Sequence, residues 1–154
     1  MFWKDDKQNN FVSISNWYFY LKPNGIFYIA KVNIPGVCKT EKVKNKNTKY
    51  DTQSGSILFI DSSIYTSFKK DSANINIRKR VGILPSNSII FAMSNKKINL
   101  YDFAKYFKDL GCKNALFFDA FVSRTYLPSQ NWNQTDGDFG ALVAVTKDAK
   151  PIKK

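Results

Sequence analysis

The sequence predicts an α+β domain: a mixed, mostly antiparallel sheet of about seven to nine strands with one principal helix over residues 99–110. Short aromatic and β-branched runs recur along the chain, divided by turn-forming residues, which is the pattern of strands. Helical spacing is sustained in one place, where Leu100, Phe103, Ala104, Phe107 and Leu110 make an apolar face. A chain of 154 residues, 44% hydrophobic and 16% aromatic, is one domain by length and fills a core without disulfides.

The helix carries its own boundaries. Asn99 is placed to accept from the free amides of the first turn, and Asp102 puts negative charge where the helix dipole favours it. Lys105 and Lys108 lie towards the C-terminal half, and Gly111 suits the left-handed residue that ends a helix.

Upstream, Asn16 to Leu21 and Ile26 to Val32 flank Lys22-Pro23-Asn24-Gly25, turn chemistry that makes them a β-hairpin. Lys39 to Lys49 holds five lysines against one glutamate and reads as a solvated loop or frayed helical excursion, with a polyanion-binding loop as the alternative. Tyr50 to Gly55 leads into the apolar strand Ile57 to Ile60, Asp61-Ser62-Ser63 turns the chain, and Ile64 to Phe68 returns it. Gln53, Ser54 and Gly55 set an amide, a hydroxyl and an unobstructed backbone just before a core strand, a combination that donates to an anion or a sugar hydroxyl. A β-bulge glycine with turn-capping neighbours is the plainer reading of the same residues.

Ile77 to Ile83 alternates apolar and cationic residues, a strand with one charged face. Arg78, Lys79 and Arg80 are not all expected to be deeply buried, because each would then need an anionic partner. Leu84 to Asn87 turns the chain, Ser88 to Met93 is the next strand, and Ser94 to Lys97 connects to the helix. Beyond the helix, Ala115 to Phe118 is a continuous apolar run that stops at Asp119. A carboxylate at the carboxyl end of a buried strand is a common place for chemistry, although an Asp that merely starts a turn fits the spacing too. Phe121 to Leu127 alternates, with Phe121, Ser123 and Thr125 on one face and Val122, Arg124 and Tyr126 on the other. Pro128 to Gly137 reads as a polar loop in which Trp132 is a sugar-stacking platform or a lid. Phe139 to Val145 reads as a closing strand.

Composition narrows the chemistry. There is no histidine, which excludes Ser-His triads, Cys-His pairs, His-based zinc sites and imidazole acid–base catalysis. An enzyme here works with carboxylates, Arg, Lys, Tyr, Ser or an oxygen-liganded metal. No metal-ligating set and no cofactor is read from the sequence. Cys38 and Cys112 lack CxxC spacing and read as buried free thiols, with a disulfide between them as the less favoured alternative. The net charge of +12 favours polyanionic partners, and scattered surface lysines explain it as well. No apolar run is long enough for a transmembrane helix, and the charged N-terminus Met1 to Asn10 shows no signal peptide. The expected location is cytoplasmic for a complete chain, and secreted or envelope-associated if an upstream signal has been removed.

The run from Phe91 to Pro128, FAMSNKKINLYDFAKYFKDLGCKNALFFDAFVSRTYLP, resembles the phosphodiester glycosidase family. Further matching runs are NWYFYLKPNGIFYIA, TQSGSILFIDSSIYTSF, IRKRVGIL and DFGALVAV, in the family's order over roughly residues 16–146. The resemblance implies an enzyme that cleaves a sugar-1-phosphodiester bond without histidine. Asp119 would then act as acid, base or electrostatic stabiliser while Arg78 holds the phosphate through paired hydrogen bonds. It places Gln53, Ser54, Gly55, Ser123 and Arg124 at the substrate. Asp51 is a second candidate carboxylate.

The chain departs from the family pattern at Lys79-Arg80, where the family has Asn-Gly, at Ala120, where it has Gly, and at Ser56, where it has Pro. The match begins at the family's middle hairpin. The expectation is therefore a single domain over residues 1–146 lacking the family's N-terminal part, followed by a basic tail over 147–154. Two functions stay open: a hydrolase of sugar phosphodiesters, truncated or inactive in one version, and a non-catalytic module binding a phosphorylated sugar, nucleotide or anionic polymer. The expected partner is a phosphorylated carbohydrate or another anionic molecule. Nucleic acid is admitted by charge but supported by no motif, and the sequence leaves the oligomeric state open.

Overall fold

The computed structural model describes residues 2–4, 24–42, 47–118, 124–137 and 143–145. In chain order these form β1 (Phe2–Lys4), β2 (Asn24–Ala30), β3 (Pro35–Lys39), β4 (Thr48–Ile60), β5 (Ser63–Ile64), β6 (Lys79–Ile83), β7 (Ile89–Met93), α1 (Leu100–Asp109), β8 (Asn114–Phe118), β9 (Tyr126–Leu127) and β10 (Trp132–Asn133). The fold is α+β, as predicted. An 8-stranded sheet has the order β3-β2-β4-β8-β6-β7, with β1 and β5 also paired to β4, and β9 and β10 form a separate hairpin. Every pairing among the described residues is antiparallel.

β4 holds the sheet together because its 13 residues are long enough to serve two sets of neighbours. Its first half lies between β1 and β2, and its second half pairs with β8 and β5. The turns follow local chemistry. Asp61 and Ser62 both adopt positive φ (51° and 62°), the primed two-residue turn whose twist suits a hairpin. Asn33 (φ 59°) turns β2 into β3, and Asn87 (φ 60°) sits between β6 and β7, both using asparagine's tolerance of the left-handed region.

The helix boundaries are those the sequence set. Asn99 Oδ1 accepts from the Asp102 amide at 2.8 Å while its Nδ2 donates to Asp102 Oδ2 at 2.8 Å. At the other end Gly111 has φ +83°. Its N–H donates to Lys108 O, and that of Cys112 donates to Phe107 O, the paired bonds of a Schellman ending. Phe103, Ala104 and Phe107 are buried. Leu110, read as part of the same face, is 41% exposed, because the chain leaves the helix there and the stripe has nothing left to cover.

Two apolar layers flank the sheet. One, between sheet and helix, contains Leu58, Phe59, Phe68, Phe103, Ala104, Phe107, Cys112 and Ala115. The other contains Phe27, Val37, Ile57, Val81, Ile83, Leu116 and Phe118. Phe27 of β2 meets Phe91 of β7 edge to face at 5.9 Å, although three strands separate β2 from β7. The sheet therefore curls around the second layer.

Several expectations are corrected or fall outside the described residues. β4 begins at Thr48 rather than Ile57, so Tyr50 to Gly55 is strand and not a lead-in. β3 was not expected, and Pro35 is tolerated because it is that strand's first residue. The polar loop from Pro128 contains a short strand, Trp132–Asn133, which pairs back onto Tyr126–Leu127. Of the expected closing strand, only Val143 to Val145 are described, and they are exposed and irregular. The upstream strand Asn16 to Leu21 and the tail 147–154 lie outside the described residues.

Candidate functional site

Three neighbouring strands, β4, β8 and β6, carry or adjoin Gln53, Ser54, Gly55 and Arg78. Ile57 of β4 lies opposite Leu116 of β8, which lies opposite Val81 of β6. Two residues further along, Phe118 lies opposite Lys79, next in the chain to Arg78. On β4 the same step leads back to Gly55. Asp119 and Ser123 lie outside the described residues. Asp119 is joined by one peptide bond to Phe118, the last described residue of β8.

Gln53 and Ser54 are buried in the middle of β4. On β2, Gly25 pairs with Ser54 and Asn24 with Ser56, which leaves Gly55 as the extra residue of a β-bulge. The bulge-glycine reading of the sequence therefore describes the backbone. The side chains remain chemically unusual. Gln53 Oε1, Ser54 Oγ, Thr52 Oγ1 and Asp51 Oδ1 are all buried without a hydrogen-bond partner. Buried polar atoms are nearly always paired, so four on consecutive residues are unusual. Asp51 is 2% exposed, and its Oδ2 accepts from Thr48 Oγ1 at 2.6 Å.

Arg78 is 5% exposed and largely occupied. Its Nε donates to Ile98 O at 3.0 Å, and its Nη2 donates to Asn74 O at 2.8 Å and Asn74 Oδ1 at 3.1 Å. Its backbone N–H donates to Ser94 Oγ at 2.8 Å. Both hydrogens of Nη2 are thus committed, and Nη1 donates to no described residue. Burial draws the guanidinium below its ordinary pKa.

Arg80 is not among the site residues expected from the sequence. Of the three adjacent cations, which were not all expected to be deeply buried, Arg80 is 0% and Arg78 5% exposed, while Lys79 between them is only half-buried, in keeping with that expectation. Arg80 faces the helix, with its guanidinium carbon 3.4 Å from the centre of the Phe117 ring and 5.4 Å from that of Phe103. Desolvated cation–π contacts of this kind contribute about 2 kcal/mol, which partly replaces a carboxylate. Nη1 donates to Lys79 O at 2.6 Å. Burial, and then the like charge of Arg78, hold its pKa well below the ordinary value. The signal in the sequence was the phase: Arg80 alternates with Val81 and Ile83 and shares its side of the strand with Gly82, against which the helix packs.

Arg124 belongs to an exposed ion pair, with Nη2 and Nε 3.0 and 3.1 Å from Asp136 Oδ2. The pair holds Arg124 above and Asp136 below their ordinary pKa values. The adjoining Thr125 Oγ1 lies 2.8 Å from Met93 Sδ, and Met93 is opposite Lys79. Arg124 therefore sits at the same end of the sheet as Arg78. Among the described residues no three His, Cys, Asp or Glu side chains are grouped to hold a metal ion, and no helix is long and apolar enough to cross a membrane.

A sequence model described as phosphodiester glycosidase matches residues 7–146. The chain belongs to the phosphodiester glycosidase family. This family member is 31% identical over 111 residues to the uncharacterized protein YigE of Escherichia coli K12, a match covering 71% of this chain and 43% of YigE. Its fold is similar to the zebrafish N-acetylglucosamine-1-phosphodiester alpha-N-acetylglucosaminidase catalytic domain, auto-inhibited by pro-peptide. There the TM-score is 0.50 at 20% identity, covering 65% of this chain and 40% of that one. The chain thus spans less than half the length of the relatives it matches. Family membership supports a glycosidase-like function.

Proposed function

We propose that this phosphodiester glycosidase family member acts on a sugar joined through phosphate at its anomeric carbon, hydrolysing the sugar–phosphate bond. A substrate of that class is named in the zebrafish relative. One observation carries the reading. Phe118 lies opposite Lys79, the residue after Arg78, and the strand on the other side of β8 carries Gln53 Oε1 and Ser54 Oγ, both buried without a partner.

In this proposal water adds at the anomeric carbon as its bond to the phosphate oxygen breaks, giving free sugar and a phosphomonoester. Asp119 takes the proton from water or stabilises the cationic sugar, a role a carboxylate fills without histidine. Arg78 faces the departing phosphate through Nη1 and offsets its charge. Gln53, Ser54 and the backbone at Gly55 meet sugar hydroxyls, and Ser123 and Arg124 complete the substrate contacts.

A second reading, a module that binds such a ligand without turning it over, is favoured by the occupancy of Arg78. With Nε and Nη2 already donating to Ile98 and Asn74, the guanidinium offers one nitrogen rather than a two-nitrogen fork. Assay of free sugar released from a sugar-1-phosphodiester separates the two. The hydrolase predicts turnover that Asp119→Asn lowers by about 10²–10⁴-fold. Saturable binding of the same compound with no sugar released, by wild type and Asp119→Asn alike, would leave the silent module.

A further inference from the structure

We propose that Arg80 is a second anion-recognition residue of this site, its Nε–Nη2 edge suited to an oxyanion of the phosphate type. The inference rests on the reading that the site takes a phosphodiester, and it adds a residue which that reading does not use. Arg80 is the largest fully buried side chain among the described residues, and its Nε and Nη2 have no hydrogen-bond partner. Nη1 is served by Lys79 O at 2.6 Å and, more distantly, by Phe118 O at 3.5 Å. Phe117 and Phe103 meet the guanidinium through their rings. Such contacts attract the cation but accept no in-plane N–H bond of the kind that Nε and Nη2 are built to make.

No carboxylate among the described residues pairs with Arg80, and the neighbouring charge, Arg78, has the same sign. Asp102, the acid of the first helical turn, is held by Asn99. Two like charges are therefore buried side by side with a parallel pair of donors unmet, an arrangement that a single oxyanion relieves. The Nε–H and Nη2–H bonds point the same way at a spacing that suits two oxygens of one phosphate, a match Lys does not reproduce. Position agrees with this use. The contact to Phe118 O puts Arg80 at the end of β8, beside the strand that carries Gln53 and Ser54. Neither free nitrogen has solvent-accessible surface, so an arriving anion displaces the groups that cover them.

The test uses the full chain and inorganic phosphate, with acetate at equal ionic strength as the comparison. Phosphate is expected to raise the melting temperature of the wild type in a saturable way, and Arg80→Met is expected to weaken that effect at least tenfold. Arg80→Lys should fall between them, keeping the charge and losing the fork. The ¹H–¹⁵N resonance of Arg80 Nε in the wild type supplies a readout that needs no variant, and it should shift as phosphate saturates. An unmoved resonance, an Arg80→Met protein stabilised as much as wild type, or acetate bound more tightly than phosphate would each overturn the proposal. Phosphate bound through Arg80 by a protein that releases no sugar keeps this inference and removes the hydrolase. Turnover with a KM unaffected by Arg80→Met does the reverse.

Discussion

The guanidinium of Arg78 grips Asn74 twice, through the backbone oxygen at 2.8 Å and the side-chain Oδ1 at 3.1 Å, while its Nε holds Ile98 O. The segment before β6 is thereby tied to the residue just ahead of the helix cap. Whatever Arg78 does for a substrate, it is also a structural clamp. Its removal leaves the Ile98 and Asn74 carbonyls without their donor.

Arg78→Ala should therefore lower stability by about 3–5 kcal/mol in urea unfolding, because three charge-assisted bonds to part-buried acceptors are lost together. Asn74→Ala removes one acceptor and keeps the carbonyl, and should cost about 1 kcal/mol. If sugar release falls in Asn74→Ala while its unfolding midpoint hardly moves, Arg78 acts on substrate through its exact orientation. A fall that tracks stability alone would assign Arg78 to the framework.

Arg80 predicts the opposite sign. Replacing an unpaired buried charge by an apolar side chain of similar length removes a desolvation cost, so Arg80→Met should leave stability unchanged or raise it by about 1–3 kcal/mol. Phe117→Leu keeps an apolar side chain and loses the ring face under the guanidinium, at a cost of about 2 kcal/mol. Made together, the two changes should be less damaging than Phe117→Leu alone, and a double-mutant cycle reads the coupling directly.

The helix is anchored to the sheet at Gly82, where an added Cβ would come within 2.5 Å of Phe107 Cδ1 and 2.8 Å of Cys112 Sγ. Both neighbours belong to the Schellman ending, so neither yields without disturbing the cap. Gly82→Ala should cost about 1–3 kcal/mol. Asn99→Ala, at the other end of the helix, should cost about 1 kcal/mol. Circular dichroism during urea titration should report both changes as shifts in midpoint with the slope unchanged.

What was legible in the sequence were the features whose causes are local. Asn99 and Gly111 mark the helix because capping and positive φ are decided within a turn, and the apolar face between them follows from spacing. The Asp61-Ser62 and Leu84-Asn87 turns follow from turn chemistry in the same way. β4 was read short because Asp51, Thr52, Gln53 and Ser54 are polar. Their burial comes from β1 and β2 on either side, pairings that no local pattern reveals. β3 was hidden by Pro35 and Gly36, which look like breakers until a neighbouring strand fixes their register. Arg80 was hidden by its charge. A cation on a strand reads as exposed unless something identifies what the strand's charged face meets, and here it meets Phe103 of the helix. The sequence groups Arg78, Gln53, Ser54 and Gly55 through a resemblance, and in the structure they lie on or next to β4 and β6, the two strands that flank β8.

The two thiols give a prediction with a definite sign. Cys112 is buried against Phe107 at the helix ending, and Cys38, half-buried on β3, lies opposite Ile26. Burial raises the pKa of both, with Lys42 opposing it at Cys38, and burial raises Tyr28 as well, with Cys38 adding to the effect. A group whose folded pKa is raised keeps its proton in the folded protein after the unfolded chain has lost it. Its stabilising contribution is complete below the unfolded value, about 8.5 for a thiol, and is lost as pH rises through the folded one. Unfolding free energy should therefore be level through neutral pH and decline in the alkaline range. Cys112→Ala should flatten part of that decline, at the cost of some packing against Phe107. A disulfide-exchange reagent at pH 8 should label Cys38 slowly and Cys112 only on unfolding, because the reacting species is the thiolate and burial disfavours it. Rapid labelling of Cys112 in the folded chain would show that the helix ending opens far more readily than its paired hydrogen bonds imply.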